Sequence, residues 1–169
     1  MSSSDVTQRV VLCDASPLIF LAKADRLDLI AKATTRQIAV LECVVQEVVN
    51  DRASPVEAER LRRWLKGVEV VQYEGSLFDS GALSRSDQSS LAWAVEHRAE
   101  CLLADERLLR RFAQEHGIKV IGVCGILMQA TKRGHLSAQE ALDCIDTAVG
   151  EHGFRISIEL YRRIRAQLK

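Results

Sequence analysis

Residues 10–20 read Val10-Val11-Leu12-Cys13-Asp14-Ala15-Ser16-Pro17-Leu18-Ile19-Phe20, and the reading of this stretch decides the fold. The apolar run Val10 to Cys13 is continuous rather than alternating, as a strand covered on both faces requires. It ends abruptly at a carboxylate. Ser16 followed by Pro17 then gives a helix start, with serine as N-cap and proline in the first turn. A charged group at the carboxyl end of a buried strand is either a turn or cap residue or part of a site.

Working outward, the same kind of run recurs at Gln37 to Leu41, Val68 to Val71, Cys101 to Ala104 and Lys119 to Val123. Segments of helical period lie between them. One runs from Ser16 to about Lys32 with a break near Asp25. Another spans Glu42 to about Asn50, with Val44, Val45, Val48 and Val49 on one side. Ser54-Pro55-Val56-Glu57 is a capping box with proline at the first helical position, and its helix ends at Gly67. Helices are expected over about Ser86 to Arg98, over Glu106 to His116 closed by Gly117, and from Gly125 to Lys132. Ser137-Ala138-Gln139-Glu140 is a second capping box, and Ser157 starts a last helix. This alternation predicts an α/β fold with an open, mainly parallel sheet covered by helices on both faces. In such sheets sites form beyond the carboxyl ends of the strands, where the strand order reverses.

Composition narrows the function. The chain has 169 residues, 47% hydrophobic and 27% charged, an ordinary globular balance suited to one core. Lys plus Arg and Asp plus Glu are equal at 23 each, so any nucleic-acid contact must use a local patch. No apolar stretch is long enough to span a bilayer. The polar start MSSSDVTQR carries no signal-peptide pattern, so no membrane association and a cytoplasmic location are expected. The five cysteines, at 13, 43, 101, 124 and 144, show no C-x-x-C spacing and read as small buried hydrophobes. The histidines, at 97, 116, 135 and 152, read as structural; none forms an H-x-x-x-H pair.

Asp14 is not the only acid so placed. Asp105, in CLLADERLL, ends the fourth apolar run, and its alternative is to cap the helix that follows. Glu47, flanked by valines on a helix expected to be largely buried, needs a partner there; its alternative is a surface-facing position. Asp87, in LSRSDQSSLAWA, lies in a first helical turn, where the dipole alone favours it.

Taken together, Asp14-Ala15-Ser16-Pro17-Leu18-Ile19, helical Glu47, Asp87 before an alanine-bearing helix, and Leu102-Leu103-Ala104-Asp105 resemble the pattern of PIN-domain ribonucleases. The similarity is closest to the prokaryotic toxin-type subgroup. Ile121-Gly122-Val123-Cys124-Gly125-Ile126-Leu127, followed by Lys132-Arg133-Gly134, resembles its distal segment. The resemblance covers about Val10 to Leu160. It implies a three-layer α/β/α PIN-like fold with a five-stranded sheet in which the first and fourth strands are neighbours. It also implies that Asp14, Glu47, Asp87 and Asp105 together hold Mg²⁺ or Mn²⁺ and hydrolyse RNA phosphodiesters. A homodimer and an inhibiting antitoxin protein are further implications. Residues 1–9 are expected to be a flexible tail and 10–169 a single domain.

Elementary electrostatics points the same way. Two carboxylates about 4 Å apart repel by roughly 4 kcal/mol at an effective dielectric near 20. Four converging acids must protonate or take up a divalent cation. All-oxygen donors suit hard ions rather than zinc, and such an ion activates water for attack on phosphorus. Ser16 is placed to bond such a water or a carboxylate, or to cap its helix. Arg107, Arg110 and Arg111 share a helix face and would guide an RNA backbone, or else form a solvated face. Arg60, Arg62, Arg63 and Lys66 form another basic run, and Trp64 and Trp93 read as core residues.

The leading expectation is therefore a metal-dependent ribonuclease, the toxin of a toxin–antitoxin pair. Its alternative is a catalytically weak or inactive PIN-like module that binds nucleic acid or protein. Ala104 and Arg107 support that alternative, because many PIN proteins carry threonine and an acid there. A phosphoacceptor receiver domain fits poorly: the third run does not end in aspartate, and Lys119 begins the last run instead of ending it.

Overall fold

A computed structural model of the chain describes residues 9–50, 53–78 and 80–169. Residues 1–8, and with them nearly all of the expected N-terminal tail, lie outside the described residues. The central sheet comprises β1 (Val11–Cys13), β2 (Ile38–Leu41), β3 (Glu69–Val71), β4 (Cys101–Leu103) and β5 (Lys119–Ile121), all parallel, in the order β3-β2-β1-β4-β5. Sequence order therefore reverses between β1 and β4, as expected. There Leu12 pairs with Leu102 and Cys13 with Leu103, and the Asp14 N–H donates to the Leu103 carbonyl at 2.9 Å.

Every residue of β1, β2 and β4 is buried, so these central strands are covered on both faces. The two edge strands differ from the expectation. Glu69 and Val70 on β3 and Lys119 on β5 are exposed. Short edges bearing charge discourage pairing with a further strand.

The helices are α1 (Ala15–Lys23), α2 (Asp28–Ala33), α3 (Glu42–Val48), α4 (Pro55–Leu65), α5 (Arg85–Glu96), α6 (Arg107–Glu115), α7 (Val123–Lys132), α8 (Ala138–Glu151) and α9 (Ile158–Gln167). The α1–α2 break falls at Asp25, whose φ is 55°, a left-handed conformation that aspartate tolerates. Arg60 supports the end of α1 by donating to the Ala22 carbonyl at 3.0 Å and pairing with Asp25 at 3.2 Å. It is thus tied down and does not form a free basic patch. Serine caps start α4, α5, α8 and α9, each accepting a backbone N–H of its own first turn. The capping box is complete only at Ser137–Glu140; in α4 the Glu57 carboxylate instead pairs with Lys23 at 3.5 Å. Helix α7 begins at Val123, two positions before the expected start, because Gly122 ends the strand and serves as its N-cap. Trp93 is buried and stacks on His97, with ring centroids 4.4 Å apart. Cys13 and Cys101 are buried, and all five cysteines are free thiols. No helix among the described residues is long and apolar enough to cross a membrane.

Candidate active site

The helix α1 starts directly after β1, which puts Asp14 in the N-cap position and Ser16 already inside the helix. Ser16 therefore does not cap, contrary to one expectation. Asp14 does not cap with its side chain either. Its carboxylate, only 1% exposed, turns to α5, where the Ser90 hydroxyl donates to Oδ1 at 3.1 Å.

Asp87 sits one turn before Ser90 on the same helix. Its backbone N–H donates to the Ser84 hydroxyl, and its carboxylate interacts with both Ser84 and Asp14. Burial, and then the charge of Asp87, push the Asp14 carboxyl from 3.8 up to about 7; Ser90 opposes this and Glu47 adds to it. Asp87 is itself raised, by burial first; a hydrogen bond from Ser84 opposes this, the charges of Glu47 and Glu106 add to it, and Asp14 holds it back slightly. The two neighbouring acids thus favour one proton held between them as a pair.

Glu47 lies near the end of α3 and is exposed, contrary to the expectation that it would be buried. The valines of α3 explain this. Val44 and Val48 take the buried face and leave position 47 outward. Glu47 still belongs to the acid group, because its Oε2 accepts the Ser86 hydroxyl at 2.6 Å and its charge acts on both Asp14 and Asp87.

Asp105 is placed differently. Its Oδ1 accepts the Val123 N–H at 3.0 Å and so caps α7 rather than α6. Its Oδ2 is buried without a hydrogen-bond partner. Burial raises its pKa, while the Val123 N–H and the nearby Arg110 guanidinium oppose the rise. Gly122 makes this approach feasible, since a Cβ there would lie 2.5 Å from Asp105 Oδ1 and 2.8 Å from Arg110 Nη1. Glu106 is the N-cap of α6, accepting the Leu108 N–H at 3.0 Å, and its charge reaches Asp87.

The structure thus gathers Asp14, Asp87 and Glu47, sets Asp105 against α7, and adds Glu106. Sequence reasoning missed Glu106 and Ser90 as partners of these acids. A signal existed for Ser90, because residues three apart on a helix share a face. The three arginines do not act as one patch. Arg107 is exposed, Arg110 donates to the Ala104 carbonyl at 2.9 Å, and Arg111 pairs with Glu115 at 3.0 Å.

The donor chemistry fits a hard divalent cation: the acids are all-oxygen, Asp14 is raised by burial and by its neighbours, and one buried oxygen of Asp105 has no partner. Among the described residues, no three Asp, Glu, His or Cys side chains are grouped closely enough to hold one ion. The fit therefore lies in residue type and mutual repulsion, not in a closed cage.

Comparisons with known proteins accord with this architecture. A family model described as a PIN domain matches residues 10–169. Among solved structures, the chain is similar to a PilT N-terminus domain protein from the hyperthermophilic archaeon Sulfolobus solfataricus. That likeness has a TM-score of 0.54 and 16% identity, and covers 72% of this chain and 92% of the other. A likeness at such low identity bears on the fold alone. No curated protein matches the chain.

Proposed function

The chain belongs to the PIN-domain family, whose members are generally nucleases that use divalent metals, and on that premise we propose that it is a Mg²⁺- or Mn²⁺-dependent ribonuclease. One observation carries this reading. At the β1–β4 switch point a fully buried carboxylate, Asp14, is pressed against Asp87 and raised to about 7. A purely structural aspartate gains nothing from such company, whereas a cation site requires it.

Asp14 and Asp87 would hold the ion, with Glu47 beside them and Asp105 contributing through its unpartnered Oδ2. When bound, the ion neutralises these carboxylates and supplies Lewis acidity towards a phosphodiester. The protein's own part is orientation. Ser90 fixes Asp14 and Ser86 fixes Glu47. Without the ion, Asp14 and Asp87 hold a proton between them at near-neutral pH. Arg110 is held beside Asp105, where it offsets negative charge, and exposed Arg107 is free to meet an RNA phosphate. The activity is assigned to one domain, residues 10–169. We extend the reading to a toxin that acts as a homodimer and is restrained by an antitoxin; the similarity of Ile121 to Leu127 and Lys132 to Gly134 to the toxin-type subgroup supports it.

A second reading, a PIN-like module that binds without cutting, is favoured by the open arrangement of the acids and by Ala104 and Arg107. Incubating metal-stripped protein with RNA, with and without Mn²⁺, separates the two. Cleavage that needs Mn²⁺ and disappears in Asp14→Asn supports the enzyme. Equal cleavage by both proteins, or none with either, removes it.

A further inference from the structure

Asp105 and Glu106 also line a groove that Asp14, Asp87 and Glu47 do not reach. It encloses about 830 Å³ between α1, the β5–α7 junction and the C-terminal segment 152–167. Phe20, Met128, Phe154 and Ile156 line its apolar part, and the Phe20 and Phe154 rings pack with centroids 5.3 Å apart. Ile19 and Leu160 at its edge are 37% and 39% exposed. Arg155 and Arg163 line the same groove, and both are exposed. Neither forms an ion pair among the described residues, whereas Lys23 nearby is engaged by Glu57. Arg110 lines the groove beside Asp105.

We propose that this groove is the path of the RNA strand beyond the cleavage point, with Arg155 and Arg163 receiving its phosphates and the surface around Phe154 receiving its bases. The proposal rests on the nuclease reading and adds to it a binding surface built by the C-terminal segment. The charge balance argues for it. The chain is neutral overall, so a polyanion must find a local cationic track. This groove joins such a track to an apolar floor. That combination suits an unpaired strand, whose bases are open to stacking, and not a duplex, whose bases are hidden. The groove meets the acid group at Asp105 and Glu106, and this argues for nucleic acid over a protein segment, because a strand cut there has to leave along a surface that tolerates phosphate.

The test is fluorescence anisotropy with a short fluorescein-labelled single-stranded oligoribonucleotide, for the wild type, Arg155→Glu/Arg163→Glu and Phe154→Ala, over a salt series. Both arginines are exposed, so the double variant should melt like the wild type; Arg155→Ala/Arg163→Ala serves in its place if it does not. The double variant should bind at least about tenfold more weakly, and its salt slope should fall by about 1.4, the loss of two single-strand phosphate contacts. Phe154→Ala should weaken binding and leave the slope unchanged. Unchanged binding in the double variant, with cleavage intact in the wild type, overturns the groove and leaves the nuclease standing, the groove then being free for a protein partner. Weakened binding in the double variant without any cleavage by the wild type supports the groove and overturns the nuclease. A duplex of the same sequence that binds as tightly counts against the groove.

Discussion

Ser90 Oγ donates to Asp14 Oδ1 at 3.1 Å, joining residues 76 apart in sequence inside the protein core. Asp14 directly follows β1, and Ser90 lies one helical turn beyond Asp87. The bond stabilises the charged form of Asp14 against burial and against the charge of Asp87. Ser90→Ala should therefore raise the Asp14 pKa above about 7, as read by NMR titration of its carboxyl carbon. With the Asp14 carboxylate charged, losing this bond should cost about 1.5–3 kcal/mol in urea unfolding. A pKa that stays put would show that Ser90 only fills space.

Metal-free stability should depend on pH through Asp14. Its folded pKa of about 7 lies above the ordinary 3.8 of an unfolded chain, so folding favours the protonated form. By linkage, that contribution is complete below pH 3.8 and is lost as pH rises through about 7. Asp14→Asn keeps the neutral form throughout. In the presence of EDTA, the thermal midpoint of the wild type should fall relative to that of Asp14→Asn between these pH values, and Mn²⁺ should recover it. Parallel curves for the two proteins would contradict the raised pKa.

Gly122 has a φ of −92°, so its backbone is open to any residue, and its constraint is space. A Cβ there meets Asp105 Oδ1 and Arg110 Nη1, so Gly122→Ala must displace both and break the Val123 cap. A loss of about 1–3 kcal/mol is expected in chemical denaturation. A neutral result would mean that Asp105 can leave α7 at little cost.

Asp105→Asn and Glu106→Gln separate two roles that the sequence runs together. In Asp105→Asn the new side-chain amide oxygen can still accept the Val123 N–H, so the fold should survive with a change under about 1 kcal/mol. If Oδ2 of Asp105 serves the cation, Mn²⁺ affinity should fall severalfold while the melting profile holds. Glu106→Gln removes one negative charge facing Asp87 and should lower the Asp87 pKa. An unchanged Asp87 titration would remove Glu106 from the acid group.

How much of this was visible in the sequence differs from residue to residue. The parallel sheet was legible because its strands are continuous apolar runs ending at turns, and the position of Asp14 follows from that run alone. Asp87 was legible as a first-turn acid. The exposure of Glu47 was not, since four valines in two adjacent pairs leave open which of them take the core; Val44 and Val48 do so once α1 packs against α3. The partner of Asp105 was also out of reach. It depends on where α7 begins, and α7 starts at Val123 because a glycine one residue earlier admits the carboxylate. Glu106 and Asp105 are neighbours in sequence but take different partners, Glu106 the Leu108 N–H of α6 and Asp105 the Val123 N–H of α7.

The most direct measurement is calorimetric titration of Mn²⁺ into metal-stripped wild type, Asp14→Asn and Asp87→Asn at pH 7.5. A saturable isotherm in the wild type that is abolished by either substitution, with both variants folded by circular dichroism, is the result expected if these acids form one cation site. Binding of equal strength in all three proteins, or in none, contradicts it.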